Sequence, residues 1–537
     1  MKKSITVAEG DGIGSEIVPE AVKVLNTVAD IQGHKFDYRY VKVGGAAFDV
    51  ATAGMSESEK AEIDKWDDKD KRALSLPTST IEDMDWARDS GGAILFGSLG
   101  RPDLPKRVAE LGLLGMRKRY GVVNNRPFII DPILAHNSIL FRDPVVINDI
   151  QIMCPVEESL YNGEETPGED SHSTQKKFTR SALEKYIGDV FEIAESNRMQ
   201  VLCASKYNVL VSEKLLSEVF EEVAEQYRGR VKLNEASIWK KDKDEKDYCT
   251  GQLIIDNAGM QIAAHPERYD NTIVIADAMF GDFLAAIVDT VRGRRRPEKE
   301  TLDQLKEAGV HRTFIRELCG GLYFGDRSNP KETKFAFDTM TYDTKTIRDI
   351  AKVARRVNAQ QGLDRVDSLV VNGIPTFNFW KDVLDRDAEE LGYNLRHLGI
   401  REGVETLLTD PYSLGTLITS NMMGDIYTDL AAAVVGKSLG IMPSSAVNAE
   451  GFGIYEQIAG SAPDIAGKGI ANPIAEIRSA AMMLEDFGDK KGADMVYDAV
   501  DKALHVARTP DIWEEGYKKV NTKQMGDLIC QYIKEAA

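Results

Sequence analysis

The feature that most constrains the fold is a junction that occurs twice in the chain. The stretches "ADAMFGDFLAAIVDTV", starting at Ala276, and "TSNMMGDIYTDLAAAV", starting at Thr419, both place a Met-x-Gly-Asp sequence at the start of an apolar helix. Before each junction, strand-like and helix-like patterns follow in the same order, from "LYNG" in one pass and from "LYFG" in the other. A repeated order of elements indicates a duplicated unit, and this alternation predicts an α/β fold.

The first pass is longer than the second because of a charged insert that follows one of its predicted strands. The string "RVKLNEASIW" is predicted to be a strand, and the charged string "KKDKDEKD" behind it is an insert that lengthens this copy. A run of charges without apolar periodicity is typical of a solvated loop.

Composition narrows the class of protein. The chain has 537 residues, of which 43% are apolar and 28% charged, as in ordinary globular proteins. A net charge of −19 argues against nucleic-acid binding, which needs concentrated Lys and Arg. No membrane-length apolar run and no signal-peptide core are evident, and the five scattered cysteines are typical of reduced thiols. We expect a cytoplasmic protein that acts on a small molecule, with neither nucleic acid nor membrane as partner.

A basic segment near residue 120 could hold a carboxylate. Arg117 and Arg126 flank a short turn before a predicted strand, and arginines bind carboxylates by bidentate hydrogen bonds. Leu113 and Leu114 precede them and could form an apolar wall. The pattern alone is as typical of a basic surface turn beside two core leucines.

The second copy carries a further set of polar residues. Arg316 and Tyr323 lie on either side of a Gly-Gly break, and Asp425 and Asp429 are four residues apart on a predicted helix. Carboxylates at this spacing share one helix face and suit Mg²⁺ or Mn²⁺. An isolated pair of this kind is more often part of a solvated face.

Two glycine-containing segments are candidates for a bound ligand. "GSAPDIAGKGIANP", over Gly460–Pro473, has too many Gly, Ala and Pro residues for a helix or strand and predicts a loop that wraps a ligand closely. "GDGIGSE", over Gly10–Glu16, joins a strand to a helix N-terminus, where free N–H groups favour negative charge. Such a turn by itself is more often structural.

Together these strings resemble the isocitrate/3-isopropylmalate dehydrogenase family of β-decarboxylating dehydrogenases over nearly the whole chain. The resemblance implies an isopropylmalate-dehydrogenase-like, non-Rossmann large domain and a small α/β domain. It also implies NAD- and divalent-metal-dependent oxidative decarboxylation of a 3-alkylmalate, with 3-isopropylmalate as the expected substrate. Isocitrate, homoisocitrate or tartrate oxidation, and a non-catalytic regulatory homologue, are the alternatives.

The resemblance also implies domain boundaries and site residues. The large domain would comprise residues 1–122 and 437–537, and the two small-domain copies residues 123–296 and 297–436. The substrate would contact Glu110, Leu113, Leu114, Arg117, Arg126 and Arg316. NAD would contact Gly460, Ser461, Ala462, Asp464, Ile465 and Asn472. Tyr323 would deliver a proton to the enolate, and Asp425 and Asp429 would bind Mg²⁺ or Mn²⁺. Asp464 would hold the ribose hydroxyls and repel the extra phosphate of NADP.

Members of this family form dimers in which each active site takes one Lys and one Asp from the neighbouring subunit. In the second copy these positions fall on Val370 and near Arg401, and neither residue can replace them. In the first copy, "SKYNVL" resembles the family string "DKANVL" and keeps Lys206, and "IIDNAGMQ" resembles "VDNAAMQ" and keeps Asp256 as a third metal ligand.

The first copy lacks what the second retains. It has Cys154 at the position of the substrate arginine and Ala286 at that of the second metal acid, while Tyr161 and Asp282 are expected to be relics. We therefore predict two tandem small domains that form a pseudo-dimer with one complete site, active as a monomer. Lys206 would be the base, with its pKa lowered by burial beside a metal.

Two departures from the family pattern concern the binding residues. The spacing between Arg117 and Arg126 is one residue shorter than usual, which bears on how the substrate is held. The family's "HGSAPD" reads "AGSAPD" here, with Ala459 in place of His, which bears on the nucleotide contacts.

Overall fold

Strands and helices alternate along the chain in the computed structural model, as expected for an α/β protein. The structure describes residues 1–105, 108–142, 149–155, 157–241, 246–292, 297–329, 331–436 and 438–537. These divide into a first unit, residues 1–133 and 437–537, and a second unit, residues 134–436. None of the described helices has both the length and the apolar composition needed to cross a membrane.

The helices and strands are numbered in chain order. The helices are α1 (Gly14–Gln32), α2 (Gly44–Ala51), α3 (Glu57–Glu62), α4 (Asp68–Ser75), α5 (Thr78–Asp89), α6 (Val108–Tyr120), α7 (Arg180–Asn197), α8 (Val211–Gln226), α9 (Ile255–Ala264), α10 (Ala278–Val291), α11 (Lys299–Ala308), α12 (Thr344–Gln360), α13 (Pro375–Leu391), α14 (Ile400–Thr409), α15 (Asn421–Val435), α16 (Ile474–Asp486), α17 (Lys490–Leu504) and α18 (Thr522–Glu535). The strands are β1 (Lys2–Gly10), β2 (Lys35–Tyr40), β3 (Ala93–Ser98), β4 (Val123–Ile130), β5 (Ile150–Met153), β6 (Glu164–Pro167), β7 (Ser171–Thr179), β8 (Gln200–Ser205), β9 (Trp239–Lys241), β10 (Asp247–Cys249), β11 (Gln252–Ile254), β12 (Thr272–Ile275), β13 (Val310–Arg316), β14 (Phe335–Asp343), β15 (Arg365–Leu369), β16 (Asn394–Leu398), β17 (Thr416–Thr419), β18 (Pro443–Val447), β19 (Gly453–Gln457), β20 (Ala507–Arg508) and β21 (Lys518–Lys519).

The first unit is built on a sheet with strand order β4-β18-β19-β3-β1-β2. Strand β18 is antiparallel to both β4 and β19, and the other neighbouring pairs are parallel. Helix α1 packs on β1 and β3 because its apolar residues, including Ile17, Ala21 and Leu25, recur at helical spacing and are fully buried. Since β4 belongs to this sheet, the boundary expected at residue 123 lies after residue 133 in the structure.

The second unit contains two sets of four neighbouring parallel strands with the same topology. The first has strand order β11-β8-β12-β5, and the second has the corresponding order β16-β15-β17-β13. In both, the last strand in sequence leads into the helix of the Met-x-Gly-Asp junction, α10 or α15. The predicted duplication of the small α/β domain is confirmed.

The two copies pack on each other with approximate two-fold symmetry. Strands β7 and β14 pair antiparallel over nine residues, with Lys176 opposite Asp338 and Thr174 opposite Met340. Helix α9 packs on α15 and the corresponding α14 packs on α10. Each copy also caps a helix of the other copy. Asp338 of the second copy accepts hydrogen bonds from the start of α8, and Thr174 of the first copy accepts one from the start of α13. The chain therefore contains its own pseudo-dimer.

The first copy differs from the prediction at its insert. The predicted strand "RVKLNEASIW" is wrong, because the sheet position beside β8 is taken by β11. Within that string, Leu233 forms an isolated bridge to Val201, and Trp239 is the first residue of β9, where it pairs with Cys249. The ends of "KKDKDEKD" lie in the antiparallel pair β9 and β10. Its central residues, 242–245, lie outside the described part of the chain.

Candidate active site

The candidate site lies in the second unit, where loops and helix starts of the two copies meet. Lys206 directly follows β8, and Asp256 is the second residue of α9, so both belong to the first copy. Asp425 is the fifth residue of α15 and belongs to the second copy. These positions follow the carboxyl ends of parallel strands, where α/β proteins commonly place ligand-binding groups.

Lys206 connects carboxylates from both copies. Its Nζ lies 2.7 Å from Oδ2 of Asp425 and also contacts Oδ2 of Asp256, and its side chain is only 2% exposed. A buried ammonium is tolerated when it is paired in this way. The lysine and aspartate of the first copy thus meet the aspartate of the second copy within one unit of one chain.

Asp425 is also the partner of two further residues of the second copy. Arg316, at the end of β13, places Nη1 2.5 Å from Oδ1 of Asp425, and its Nε and Nη2 donate to Oδ1 of Asn421 at 3.1 and 2.9 Å. The Tyr323 hydroxyl donates to Oδ2 of Asp425 at 3.0 Å. The sequence predicted roles for Arg316, Tyr323 and Asp425 but gave no sign of Asn421, which fixes the guanidinium.

The environment keeps both proton-transfer candidates protonated. Burial, with Asp425 and Asp256 nearby, holds the pKa of Tyr323 well above its usual value, so its hydroxyl carries a proton at neutral pH. Burial alone would lower the pKa of Lys206, but the attraction of Asp425 and Asp256 outweighs it and the net shift is upward. The lowering of the Lys206 pKa expected from the sequence concerns the site with a bound cation, and it stays a prediction.

The carboxylates of Asp256 and Asp425 offer oxygen donors for a divalent cation. Oδ1 of Asp256 is buried without a hydrogen-bond partner among the described residues, and burial raises the pKa of this carboxyl. Asp256 and Asp425 already converge on one cation, the Lys206 ammonium, and oxygen donors suit Mg²⁺ or Mn²⁺. These two residues fit the ion. Within the described ranges, no group of three His, Cys, Asp or Glu side chains is arranged to hold a metal, and the role of Asp429 as a third ligand stays a prediction.

The first copy retains a partial counterpart of this arrangement. The Tyr161 hydroxyl donates to Oδ2 of Asp282, as Tyr323 does to Asp425. Cys154 lies against Gly281, the glycine before Asp282, at the place that Arg316 takes against Gly424. A thiol in place of a guanidinium cannot hold a carboxylate by charge.

At the positions that correspond to Lys206 and Asp256, the second copy has Val370 and Arg401. Val370 is buried and apolar. Arg401, the second residue of α14 as Asp256 is of α9, forms an exposed ion pair with Asp289 at 2.7 Å. Of the two arrangements, only the one around Asp425 combines Lys, Asp, Arg and Tyr.

The first unit carries the other residues assigned to the substrate. Arg117 lies in the last turn of α6 with Nη2 2.8 Å from Oε1 of Glu456. Arg126 lies within β4 rather than before it, and the Asn124 amide, in the orientation that hydrogen bonding favours, accepts from its Nε at 2.9 Å. The two leucines Leu113 and Leu114 are half-buried on α6, which also contains Glu110. The Glu110 side chain is outside the described part.

The turn "GDGIG" and the loop Gly460–Pro473 pack together in the first unit. The N–H of Ile13 donates to the Ser461 carbonyl at 2.9 Å, and a Cβ on Gly12 would lie 2.0 Å from that oxygen, so only glycine fits. Glu16 accepts from the N–H of Gly467 at 2.5 Å. Each motif alone was a weak signal, and the sequence did not predict that one supports the other.

The residues of this loop divide into exposed and structural ones. Asp464 is exposed, Ile465 is half-buried, and Ala462 has a left-handed backbone with φ 42°, which is unusual for alanine. The space beside Gly460 is open, which fits a ligand that approaches the backbone. Asn472 is buried. Its Nδ2 donates to Oδ2 of Asp511 at 3.0 Å, and its Oδ1 accepts from the N–H of Ile474 at 3.1 Å, which indicates that it shapes the loop.

Comparison with known proteins agrees with this arrangement. The family model described as isocitrate/isopropylmalate dehydrogenase matches residues 4–294 and, a second time, residues 292–529. The boundary between the matches falls between the two small-domain copies. Each match therefore contains one part of the first unit and one copy.

Curated relatives belong to the same family, and solved structures of this family have a similar fold. The chain is 36% identical to the 3-isopropylmalate dehydrogenase of Clostridium acetobutylicum over 274 residues, 45% of this chain and 76% of that protein. It is 40% identical to that of Cupriavidus pinatubonensis over 233 residues, 41% of this chain and 65% of that protein. The fold is similar to isocitrate dehydrogenase from Methylococcus capsulatus (TM-score 0.53, 17% identity, 99% of both chains). It is also similar to a β-decarboxylating dehydrogenase from Thermococcus kodakarensis (TM-score 0.54, 20% identity, 99% and 96%).

Proposed function

The chain belongs to the isocitrate/isopropylmalate dehydrogenase family, and from this premise we propose that it oxidises and decarboxylates a 3-alkylmalate with NAD⁺ and a divalent cation. The preferred substrate is 3-isopropylmalate, and the products are 2-oxo-4-methylpentanoate and CO₂. The observation that carries the proposal is the meeting of Lys206 and Asp256 of one copy with Asp425 of the other, beside Tyr323.

The chemistry requires two proton transfers by side chains of this chain. At C2 of the substrate, the hydroxyl proton passes to Lys206 as the C2 hydrogen leaves as hydride, for which bound NAD⁺ would be the acceptor. Loss of the C3 carboxylate as CO₂ leaves an electron pair on C3, and Tyr323 donates its proton there. Arg117, Arg126 and Arg316 bind the substrate carboxylates.

A bound cation would change the pKa of Lys206 and so its ability to accept a proton. Mg²⁺ or Mn²⁺ held by Asp256 and Asp425, with Asp429 as the expected third ligand, would supply stabilisation of negative charge during the reaction. The carboxylates that raise the pKa of Lys206 are the same ones that would hold the cation. A cation that neutralised their charge would weaken the attraction that keeps the ammonium protonated, and it would lower the pKa of Lys206.

We further propose that the chain is active as a monomer. The resemblance to the family implies that a chain with one small domain takes the Lys and Asp from a second subunit. Here both copies of this domain lie in one chain. The pairing of β7 with β14 and the reciprocal helix caps support this proposal, because they form the copy–copy contact within the chain.

Substrate choice is expected to favour an apolar C3 substituent. Leu113 and Leu114 should face it, and each buried methyl or methylene group contributes about 1 kcal/mol. The ratio of kcat/KM for 3-isopropylmalate over isocitrate should therefore exceed about tenfold, and Leu113→Ser with Leu114→Ser should reduce it. Steady-state assays with these substrates, homoisocitrate and tartrate measure this. A higher kcat/KM for isocitrate would show the substrate assignment to be wrong.

Cofactor choice is expected to depend on Asp464. The exposed carboxylate should bind the ribose hydroxyls of NAD⁺ and repel the 2′-phosphate of NADP⁺. Asp464→Lys should shift the NAD⁺/NADP⁺ ratio of kcat/KM toward NADP⁺ by about tenfold or more, because it replaces repulsion by attraction. Asp464→Asn should give an intermediate ratio. A wild-type preference for NADP⁺ would overturn the role of Asp464.

A further inference from the structure

The first copy contains a second group of charged residues, entirely buried behind Lys206. Lys176 on β7, Glu213 in the first turn of α8 and Asp277 at the N-cap of α10 all have fully buried side chains. Lys176 Nζ lies 2.6 Å from Oδ2 of Asp277 and contacts Oε1 of Glu213. Burial alone would lower the pKa of Lys176, but the two carboxylates raise it, so the lysine remains charged.

Glu213 links this buried cluster to the active-site lysine. Its Oε2 accepts a hydrogen bond from the backbone N–H of Lys206 at 3.2 Å, while its Oε1 contacts Lys176. Lys206 lies in the short loop between β8 and α8, and Glu213 is on the first turn of that helix. The cluster therefore fixes the backbone from which the Lys206 side chain projects.

The second copy shows what the same fold contains where the lysine is missing. Equivalent positions follow from matching the ends of β7 and β14, the starts of α8 and α13, and the N-caps of α10 and α15. By this match Lys176, Glu213 and Asp277 correspond to Met340, Phe377 and Ser420, which are all buried. This copy has Val370 at the position of Lys206. Ions occur at these three positions in the copy that supplies the lysine, and uncharged side chains occur in the copy that does not.

The energetics of burial indicate that folding does not require the ions. Moving charged groups out of water is costly, and replacing a buried ion cluster by packed apolar side chains is often neutral or stabilising. The second copy has this uncharged packing and the same sheet topology. The charged cluster therefore has a purpose other than stability.

We propose that Lys176, Glu213 and Asp277 are positioning residues that hold the Lys206 backbone so that its ammonium reaches Asp256 and Asp425. This inference rests on the proposed role of Lys206 as the base. The two carboxyl oxygens of Glu213 accept from a cation and from an N–H at once, which neither an amide nor an apolar side chain can do.

Glu213→Gln tests the proposal, because glutamine can accept from only one of the two donors without turning its NH₂ group toward the other. We expect kcat to fall about 10- to 100-fold, the KM for NAD⁺ to stay within about twofold, and the amide of Lys206 to exchange hydrogen faster. The matched control is Asp367→Asn, which removes a buried carboxylate charge in the second copy, where it pairs with Arg365 and Arg396. The control should lower the Tm while leaving kcat per folded molecule and exchange at Lys206 unchanged.

A triple variant tests the proposal in case Glu213→Gln does not fold. Lys176→Met, Glu213→Phe and Asp277→Ser together install the uncharged set of the second copy, and this variant should fold with a Tm near wild type yet lose turnover. Wild-type kcat in a folded Glu213→Gln or triple variant, or unchanged exchange at Lys206, would overturn the inference. If the wild type itself oxidises no 2-hydroxy acid, the proposed function fails, and hydrogen exchange still decides whether the cluster holds the Lys206 backbone.

Discussion

Replacing Lys206 with alanine is expected to lower kcat for 3-isopropylmalate oxidation by about 10²- to 10⁴-fold, the usual contribution of a positioned proton-transfer group. Lys206 is buried, and its ammonium contacts the carboxylates of Asp256 and Asp425. Steady-state kinetics with NAD⁺ and saturating Mg²⁺ measure the effect, and circular dichroism verifies the fold.

The control for this substitution is Lys214→Ala. Lys214 is half-exposed on α8, only eight residues further along the chain, and forms a long ion pair with Glu218 at 3.6 Å. Its removal should leave kcat within about twofold, since exposed pairs contribute little. If Lys206→Ala were to retain a comparable kcat, Lys206 would not be the base.

Asp425→Ala is expected to be as severe and, in addition, to weaken cation binding. Asp425 contacts Lys206, Arg316 and Tyr323, so its loss disorders three functional side chains and removes one expected metal ligand. We expect kcat to fall about 10³-fold and the Mg²⁺ concentration for half-maximal activity to rise at least about tenfold. Metal titrations of the steady-state rate measure both quantities.

The chain offers a matched control for Asp425 in its own first copy. Asp282 is the fifth residue of α10, as Asp425 is of α15, and it accepts from Tyr161 as Asp425 does from Tyr323. Asp282→Ala should change kcat and the Mg²⁺ requirement by less than about twofold. If Asp282→Ala were as damaging as Asp425→Ala, the first copy would contain a working site of its own.

Local sequence patterns predicted the duplicated architecture well. The junctions ending in Asp282 and Asp425 identified equivalent helices, because an apolar helix after a buried strand leaves a strong periodic pattern. The retained Lys206 and Asp256 fall at the ends of strands or starts of helices, where local sequence also sets their position. Their meeting with Asp425 follows from the pseudo-two-fold packing that the duplication implies.

Features that depend on contacts between distant segments were not predictable. The strand expected in "RVKLNEASIW" is wrong because tertiary pairing selects the short strand β11 as the neighbour of β8. The support of Ser461 by the turn at Gly12 joins segments more than 400 residues apart. The upward shift in the pKa of Lys206 arises from the balance between burial and two carboxylates, which no linear pattern contains.

The central claim is that one chain builds one complete site from its two small-domain copies. The direct test mixes Lys206→Ala and Asp425→Ala proteins in denaturant, refolds them together, and measures turnover of 3-isopropylmalate against each variant and wild type refolded alone. In a dimer that shares its sites between chains, random pairing restores about a quarter of the wild-type activity, because half of the dimers have one intact site. Our account predicts no activity above the sum of the separate variants, since every chain keeps its own broken site. Recovery near a quarter of the refolded wild-type rate would show that Lys206 meets Asp425 between chains and would contradict it.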